Sequence, residues 1–195
     1  MDDLTNAIEY YNRALTEHRT ADILTKLRTT EKLKAERDRV QYIDPVKAEE
    51  AREEGNKAFK EADWPGAVKA YTEMVKRAPD DPRGFSNRAA ALAKLMSFPE
   101  AVKDCDEALK RDPTFMRAYI RKAQAYMAMR EYNKCLDTCT TAQEKDTEGK
   151  HTTELDGIMK KCMQTMYAAR EGETEEQTME RVQKDPEVSM PETYY

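Results

Sequence analysis

The sequence predicts an all-α fold, a helical solenoid in which antiparallel helix pairs stack on one another. Residues that favour helices dominate the 195-residue chain, which contains only six glycines. Small and aromatic residues also recur at a fixed interval through its middle. Because 36% of the residues are charged and only 39% are hydrophobic, the composition suits thin helical layers better than one large core.

The interval is 34 residues, as the positions of Gly55, Ala89 and Ala123 indicate. This is the period of tetratricopeptide repeats, in which each repeat is one antiparallel helix pair. The residues predicted to pack in the second helix of each pair recur in the same frame: Ala67, Ala101 and Cys135; Tyr71, Cys105 and Cys139; Met74, Ala108 and Ala142. Short side chains are needed where two helix axes approach closely. We therefore predict three repeats over residues 48–149.

Aromatic and proline residues predict where the helices of each repeat meet and end. An aromatic residue marks the turn inside each pair: Trp64, Phe98 and Tyr132. Pro79 and Pro113 follow the second helices of the first two repeats. Because proline cannot continue a helix, we expect those helices to end just before it.

The segments on either side of the repeats are also predicted to be helical. Residues 3–17 have the spacing of a second repeat helix, and residues 20–43 form a long linking helix with a narrow apolar stripe. Residues 151–170 form the capping helix that covers the last repeat of a solenoid.

Three regions follow from these predictions. We assign residues 1–44 to the last helix and the capping or linker helix of a preceding repeat domain. Residues 45–170 form the three-repeat domain with its capping helix, and residues 171–195 form a polar linker and a truncated tail.

Charge and hydropathy argue against two classes of partner. The net charge of −5 is spread along the chain, whereas nucleic-acid binding needs a concentrated basic surface. The chain has no apolar run of about 18 residues, so we expect no membrane span. Its first residues lack the basic and then apolar layout of a signal peptide, which favours the cytosol. We expect a monomer.

No pattern of catalytic or metal-binding residues is present in the sequence. His18 and His151 stand alone, and neither a phosphate-binding loop nor a catalytic triad can be identified. The four cysteines lack the spacing of a zinc site and are expected to be reduced, buried packing residues: Cys105, Cys135, Cys139 and Cys162. We therefore expect no enzymatic activity, no cofactor and no metal.

Polar residues at matching repeat positions predict a binding groove. In stacked pairs the first helix of each pair lines the concave face, and residues four apart on a helix point the same way. Arg52 and Asn56 are so related in the first repeat, and Arg117 and Arg121 in the third. Asn87 lies in the second repeat, 34 residues before Arg121. We predict that these five side chains converge.

Such a set of side chains is suited to carboxylates, because one guanidinium group can hold both carboxylate oxygens. The groove is predicted to hold two carboxylates at the end of an acidic chain. Lys94 adds a further positive charge, while Phe59, Ala90 and Ala93 offer an apolar shelf for an aliphatic side chain.

The segments EEGNKAF, GFSNRAAALAKL and MRAYIRKA resemble the carboxylate-clamp tetratricopeptide repeats of heat-shock co-chaperones. The family's five clamp positions fall on the five residues named above. Together with DWPGAVKAYTEMVKRAP and QKDPEV, the chain resembles the end of the middle repeat domain and the third repeat domain of the fungal-type, stress-inducible chaperone organisers, the Hop family. The resemblance implies an adaptor that binds the C-terminal Glu-Glu-Val-Asp tails of the seventy- and ninety-kilodalton heat-shock chaperones and links them for client transfer.

Two other functions stay open at this point. A general scaffold could bind an internal helical or extended segment in the same groove, and it would tolerate a blocked terminal carboxylate. A repeat domain attached to an enzyme would need catalytic sequence outside this chain.

Overall fold

A computed structural model describes residues 3–168 and 173–184 of the chain. Within these ranges helices follow one another through short turns: α1 Asp3–Glu17, α2 Ala21–Tyr42, α3 Pro45–Lys60, α4 Trp64–Arg77, α5 Pro82–Lys94, α6 Phe98–Arg111, α7 Met116–Ala128, α8 Tyr132–Lys145, α9 Thr152–Tyr167 and α10 Glu175–Lys184. The predicted all-α class is confirmed. The chain divides into two compact units, Met1–Val46 and Lys47–Tyr195.

The first unit contains the helices α1 and α2, which pack against each other. Leu27 on α2 is buried, whereas Leu33 and Val40 farther along the same helix are 57% and 55% exposed. The predicted apolar stripe is therefore covered only over its first part. Val40 lies beyond the length of α1, because α1 has 15 residues, α2 has 22, and each residue adds about 1.5 Å to a helix.

The second unit contains the predicted three helix pairs, α3 with α4, α5 with α6 and α7 with α8. Capping side chains and prolines mark the residues at which these helices begin. The carboxylates of Asp63 and Asp81 accept hydrogen bonds from the backbone N–H groups of Gly66 (3.0 Å) and Arg83 (2.8 Å), which caps α4 and α5. A proline lies in the first turn of α4, α5 and α6, where its missing N–H costs nothing.

The turn inside each pair has the same backbone geometry in all three repeats. A residue other than glycine adopts positive φ at positions 34 apart: Ala62 (60°), Met96 (59°) and Arg130 (63°). The next N–H then bonds the carbonyl five residues earlier, for example Ser97 to Leu92 at 3.0 Å. This is the hydrogen bond of a Schellman motif, which usually contains glycine at the positive-φ position. The first helix of each of the three pairs therefore ends in the same hydrogen-bonded turn.

The predicted packing positions lie in the core. All nine second-helix residues named from the 34-residue frame are buried, as are Gly55, Ala89 and Ala123. Gly55 is required by close approach, since a Cβ atom there would lie 2.5 Å from Cε1 of Tyr71. A bidentate ion pair adds to the contacts between α5 and α6, because Arg88 donates to both oxygens of Asp104, each at 2.7 Å.

The helix α9 covers the end of the third pair, as predicted for a capping helix. Leu155, Ile158 and Cys162 of α9 join Cys135 and Cys139 of α8 in one apolar cluster. All four cysteines are free and buried, which confirms their predicted packing role.

The last predicted region is only partly described. The helix α10 occupies part of the stretch predicted as a polar linker, and the predicted tail at 185–195 lies outside the described residues. Among the helices that are described, none has the length and apolar character needed to cross a membrane. The described residues also include no group of three or more His, Cys, Asp and Glu side chains placed to hold a metal ion.

Candidate functional site

The predicted clamp residues lie on the first helices of the three pairs, α3, α5 and α7. The small packing residues place these helices side by side, and α5 contacts α7 directly. Their polar side chains can therefore meet although they are far apart in sequence.

A buried tyrosine lies at the centre of the candidate site. The hydroxyl of Tyr71 donates a hydrogen bond of 2.8 Å to the side-chain oxygen of Asn56. Burial raises the pKa of Tyr71, while the nearby positive charges of Arg121 and Arg52 act to lower it. Both guanidinium groups are thus close enough to affect the same phenol. Tyr71 therefore contacts Asn56 directly, and the charges of Arg52 and Arg121 act on its hydroxyl.

Arg121 is held by residues of the second repeat. Its Nη1 atom donates to the hydroxyl of Ser86 and, at 3.3 Å, to the side-chain oxygen of Asn87. Burial lowers the pKa of Arg121, and the positive charge of Arg117 lowers it further. An arginine keeps its charge despite such a shift. The result is a fixed, partly desolvated cation beside an amide.

Arg52 already binds a carboxylate of its own helix. Its Nε atom donates to Glu49 at 2.8 Å, and its Nη2 atom donates to the same oxygen. The other oxygen of Glu49 lies 3.8 Å from Arg83. The hydrogen bonds from Arg52 hold the pKa of Glu49 below its usual value. Glu49 therefore shows the kind of group that this guanidinium accepts, and an incoming carboxylate must share or replace it.

The other predicted residues are placed differently. Arg117 is exposed, and its charge reaches Arg121. The Nζ atom of Lys94 lies 5.8 Å from the ring centre of Trp64, and that ring is 4.8 Å from the ring of Phe59. Ala90 is half-buried. Lys94 and Phe59 thus form a second group around Trp64, separate from the hydrogen bonds that join the clamp.

Phe59 is also part of the core, since it packs against the buried cluster of Ala67, Tyr71 and Ala91. Its contribution to an apolar shelf, like that of Ala90, stays a prediction.

A hollow of about 420 Å³ adjoins the clamp along α3. The residues that line it all belong to this helix or to the turn after it: Arg52, Glu53, Asn56, Lys57, Lys60 and Glu61. Two clamp residues therefore line the hollow together with two lysines and two glutamates.

Residues that position the clamp were missed by sequence reasoning. Tyr71 was predicted only as a packing residue, although a buried phenol usually requires a hydrogen-bond partner. Ser86 directly precedes Asn87 and is completely buried, yet a lone serine carries no periodic signal. Glu49 lies one turn before Arg52, and that spacing could have indicated the ion pair.

No family model matches the chain. Heat shock protein STI1 of Saccharomyces cerevisiae is 61% identical over 191 residues, which cover 96% of this chain. The solved TPR2B domain of yeast Sti1, in complex with pHsp70, is 58% identical with a TM-score of 0.60, and the match covers 62% of this chain and 98% of that domain. The chain belongs to the Sti1 family of tetratricopeptide-repeat domains.

A second solved structure and the length of the curated relatives show how much of a Sti1 protein this chain corresponds to. The TPR2AB domain of yeast Sti1, in complex with pHSP90, is 57% identical with a TM-score of 0.81 over 83% of this chain and 64% of that one. The chain spans 32% of the length of the curated Sti1 relatives it matches. The predicted resemblance to tetratricopeptide repeats of the chaperone organisers is therefore confirmed.

Proposed function

We propose that this chain is a co-chaperone adaptor module, without catalytic activity, that binds the acidic C-terminal tails of heat-shock chaperones in the cytosol. The observation that carries the proposal is a pair of fixed polar groups on the groove-lining helices: Arg121 bonded to Ser86 and Asn87, and Asn56 bonded to Tyr71. With Arg52 on the same helix as Asn56, two guanidinium groups and an amide can receive two carboxylates at the end of a chain.

The Sti1 family supports the choice of partner. Yeast Sti1 domains have been solved with pHsp70 and with pHSP90, and the first of these is 58% identical to this chain. We propose that this chain takes the Glu-Glu-Val-Asp tails of the seventy- and ninety-kilodalton chaperones in the same groove. By binding one chaperone while other repeat domains bind the second, such a module would link them for client transfer.

We also propose that three regions of the chain have different roles. Residues 1–44 would close a preceding repeat domain, residues 45–170 would form the tail-binding domain, and residues 171–195 would act as a linker and tail. The pairing of α1 with α2 and the complete set of three pairs after them support this organisation.

Titration with two synthetic peptides tests the clamp. A peptide ending in Glu-Glu-Val-Asp should bind with its free carboxylate, and its amidated form should bind at least about tenfold more weakly, because a charge-assisted hydrogen-bond pair is lost. Arg121→Ala should reduce binding of the free acid to the level of the amidated peptide. The control is Arg130→Ala, which changes an exposed arginine in the turn between α7 and α8.

Helicity, measured by circular dichroism, should be the same for all three proteins. Equal binding of the free and amidated peptides would instead identify a scaffold for internal segments.

A further inference from the structure

The hollow along α3 continues the clamp in one direction. Arg52, Asn56 and Lys60 are spaced four residues apart, so they follow one face of the helix. Lys57 and Lys60 are both exposed on this surface. A ligand group held by Asn56 is thus one helical turn from the ammonium group of Lys60.

The lysines of the hollow lack an acidic partner, whereas several other cations of the second unit have one. Arg83, Arg88 and Lys122 each form an ion pair with a carboxylate, at 2.7 Å in every case. Within residues 3–168 and 173–184, neither Lys57 nor Lys60 forms one. Arg52 also lines the hollow but is already paired with Glu49, so Lys57 and Lys60 are the cations of the lining that remain for a ligand.

The repeat frame gives Lys60 a counterpart. Lys60 and Lys94 are 34 residues apart and occupy the last position of α3 and of α5. The first two pairs therefore both end their groove-lining helix with a lysine. A lysine at this end also interacts favourably with the helix dipole, which is the structural role that the position has without a ligand.

We propose that Lys60, with Lys57 beside it, binds a third carboxylate of the acidic tail. This inference rests on the proposed function of the clamp. A tail of sequence Glu-Glu-Val-Asp has three acidic side chains and a terminal carboxylate, of which the clamp takes two. The hollow shares Arg52 and Asn56 with the clamp, so a remaining glutamate or aspartate side chain lies within reach of the lysines.

The expected strength follows from exposure. A carboxylate bound to solvent-exposed lysines gains only a small amount of free energy, equivalent to about three- to fivefold in affinity. The gain should decrease as salt rises from about 0.05 to 0.5 M, because exposed charges are screened. The hollow would therefore adjust affinity and tail choice, and the clamp would decide whether a tail binds at all.

A double-mutant cycle tests the proposal. The intact chain, the variant Lys60→Gln and the double variant Lys57→Gln/Lys60→Gln are titrated with the Glu-Glu-Val-Asp peptide and with peptides in which each acidic side chain is singly changed to its amide. We expect the double variant to bind the parent peptide about three- to fivefold more weakly. We also expect one amide peptide to bind the intact chain and the double variant equally.

The control is Lys103→Gln, because Lys103 is exposed on α6, a second helix of a pair. It should leave every affinity unchanged. Unaltered binding of the parent peptide to the double variant, or an equal loss for every peptide, would overturn the proposal.

The same titrations distinguish an error in the proposed clamp from an error in the proposed third carboxylate site. If Arg121→Ala left binding of the free-acid peptide intact, the proposed function itself would be wrong. If Arg121→Ala removed binding while the lysine variants showed no coupling to any side chain of the peptide, only the third carboxylate would be ruled out.

Discussion

The hydroxyl of Tyr71 lies 2.8 Å from the side-chain oxygen of Asn56 and donates a hydrogen bond to it. The bond joins a core residue of α4 to a clamp residue of α3. Because the oxygen of the Asn56 amide is occupied, its NH₂ group is the side that remains for a ligand carboxylate. The core thus decides which end of the amide faces the groove.

Tyr71→Phe should therefore weaken tail binding while leaving the fold intact. The ring still fills its site, but Asn56 loses the partner that orients it, which costs about 1 kcal/mol, or roughly fivefold in affinity. Calorimetric titration with the free-acid peptide measures the change. The matched control is Tyr119→Phe, since that hydroxyl bonds the carbonyl of Pro113 at 3.2 Å and not a clamp residue. Equal effects of the two substitutions would contradict an orienting role.

Glu49→Gln should strengthen tail binding. The substitution keeps the size of the side chain but removes the charge that competes for Arg52. We expect an increase in affinity of about two- to fivefold, in the range of an exposed ion pair. The control is Glu148→Gln, because Glu148 pairs with the exposed Lys150 instead. Unchanged or weaker binding after Glu49→Gln would mean that Glu49 supports the clamp.

Gly55→Ala and Gly157→Ala should have opposite effects on stability. A Cβ atom at Gly55 would meet the rigid ring of Tyr71, so the variant should lose about 1–3 kcal/mol in the free energy of unfolding. At Gly157 in α9 a Cβ atom meets nothing within 4 Å, and alanine should add about 0.5–1 kcal/mol. Urea denaturation measures both. If Gly55→Ala were as stable as the parent chain, the close approach would not matter.

Met96→Gly should stabilise the second unit. Met96 adopts φ 59° and is 78% exposed, so glycine relieves backbone strain and removes little packing. The expected gain is about 1 kcal/mol, after allowance for the greater freedom of glycine in the unfolded chain. Met96→Ala retains the strain and should be close to neutral. A loss of stability with glycine would show that the methionine side chain makes a stabilising contact.

The four cysteines should resist thiol reagents until the chain unfolds. Each side chain is completely buried, and burial raises the pKa of Cys105 and of Cys162 to about 12. Only about 10⁻⁴ of such a thiol is ionised at pH 8, and the thiolate is the reactive form. Because all four side chains are completely buried, an aromatic disulfide reagent should detect no thiol in the native protein and four in denaturant. Rapid native labelling would indicate opening of the helices that carry them.

The three repeats could be predicted from the sequence because the same packing requirement recurs in each of them. Ala67, Ala101 and Cys135 are small for the same steric reason in each repeat, and the sequence therefore repeats with the structure. The contact between Arg121 and Ser86 has no such counterpart, since a single serine carries no periodic signal. The role of Phe59 was also hard to predict. An aromatic residue at the edge of a groove can pack into the core or line the groove, and its position in the sequence is the same in both cases.

The position of α9 has a consequence for assembly. A fourth helix pair would have to stack where Leu155 and Cys162 now pack against α8. That surface is already filled, so no further helix pair can pack on it in this arrangement. Lys160 and Lys161 on α9 are exposed, so this part of the α9 surface is in contact with water.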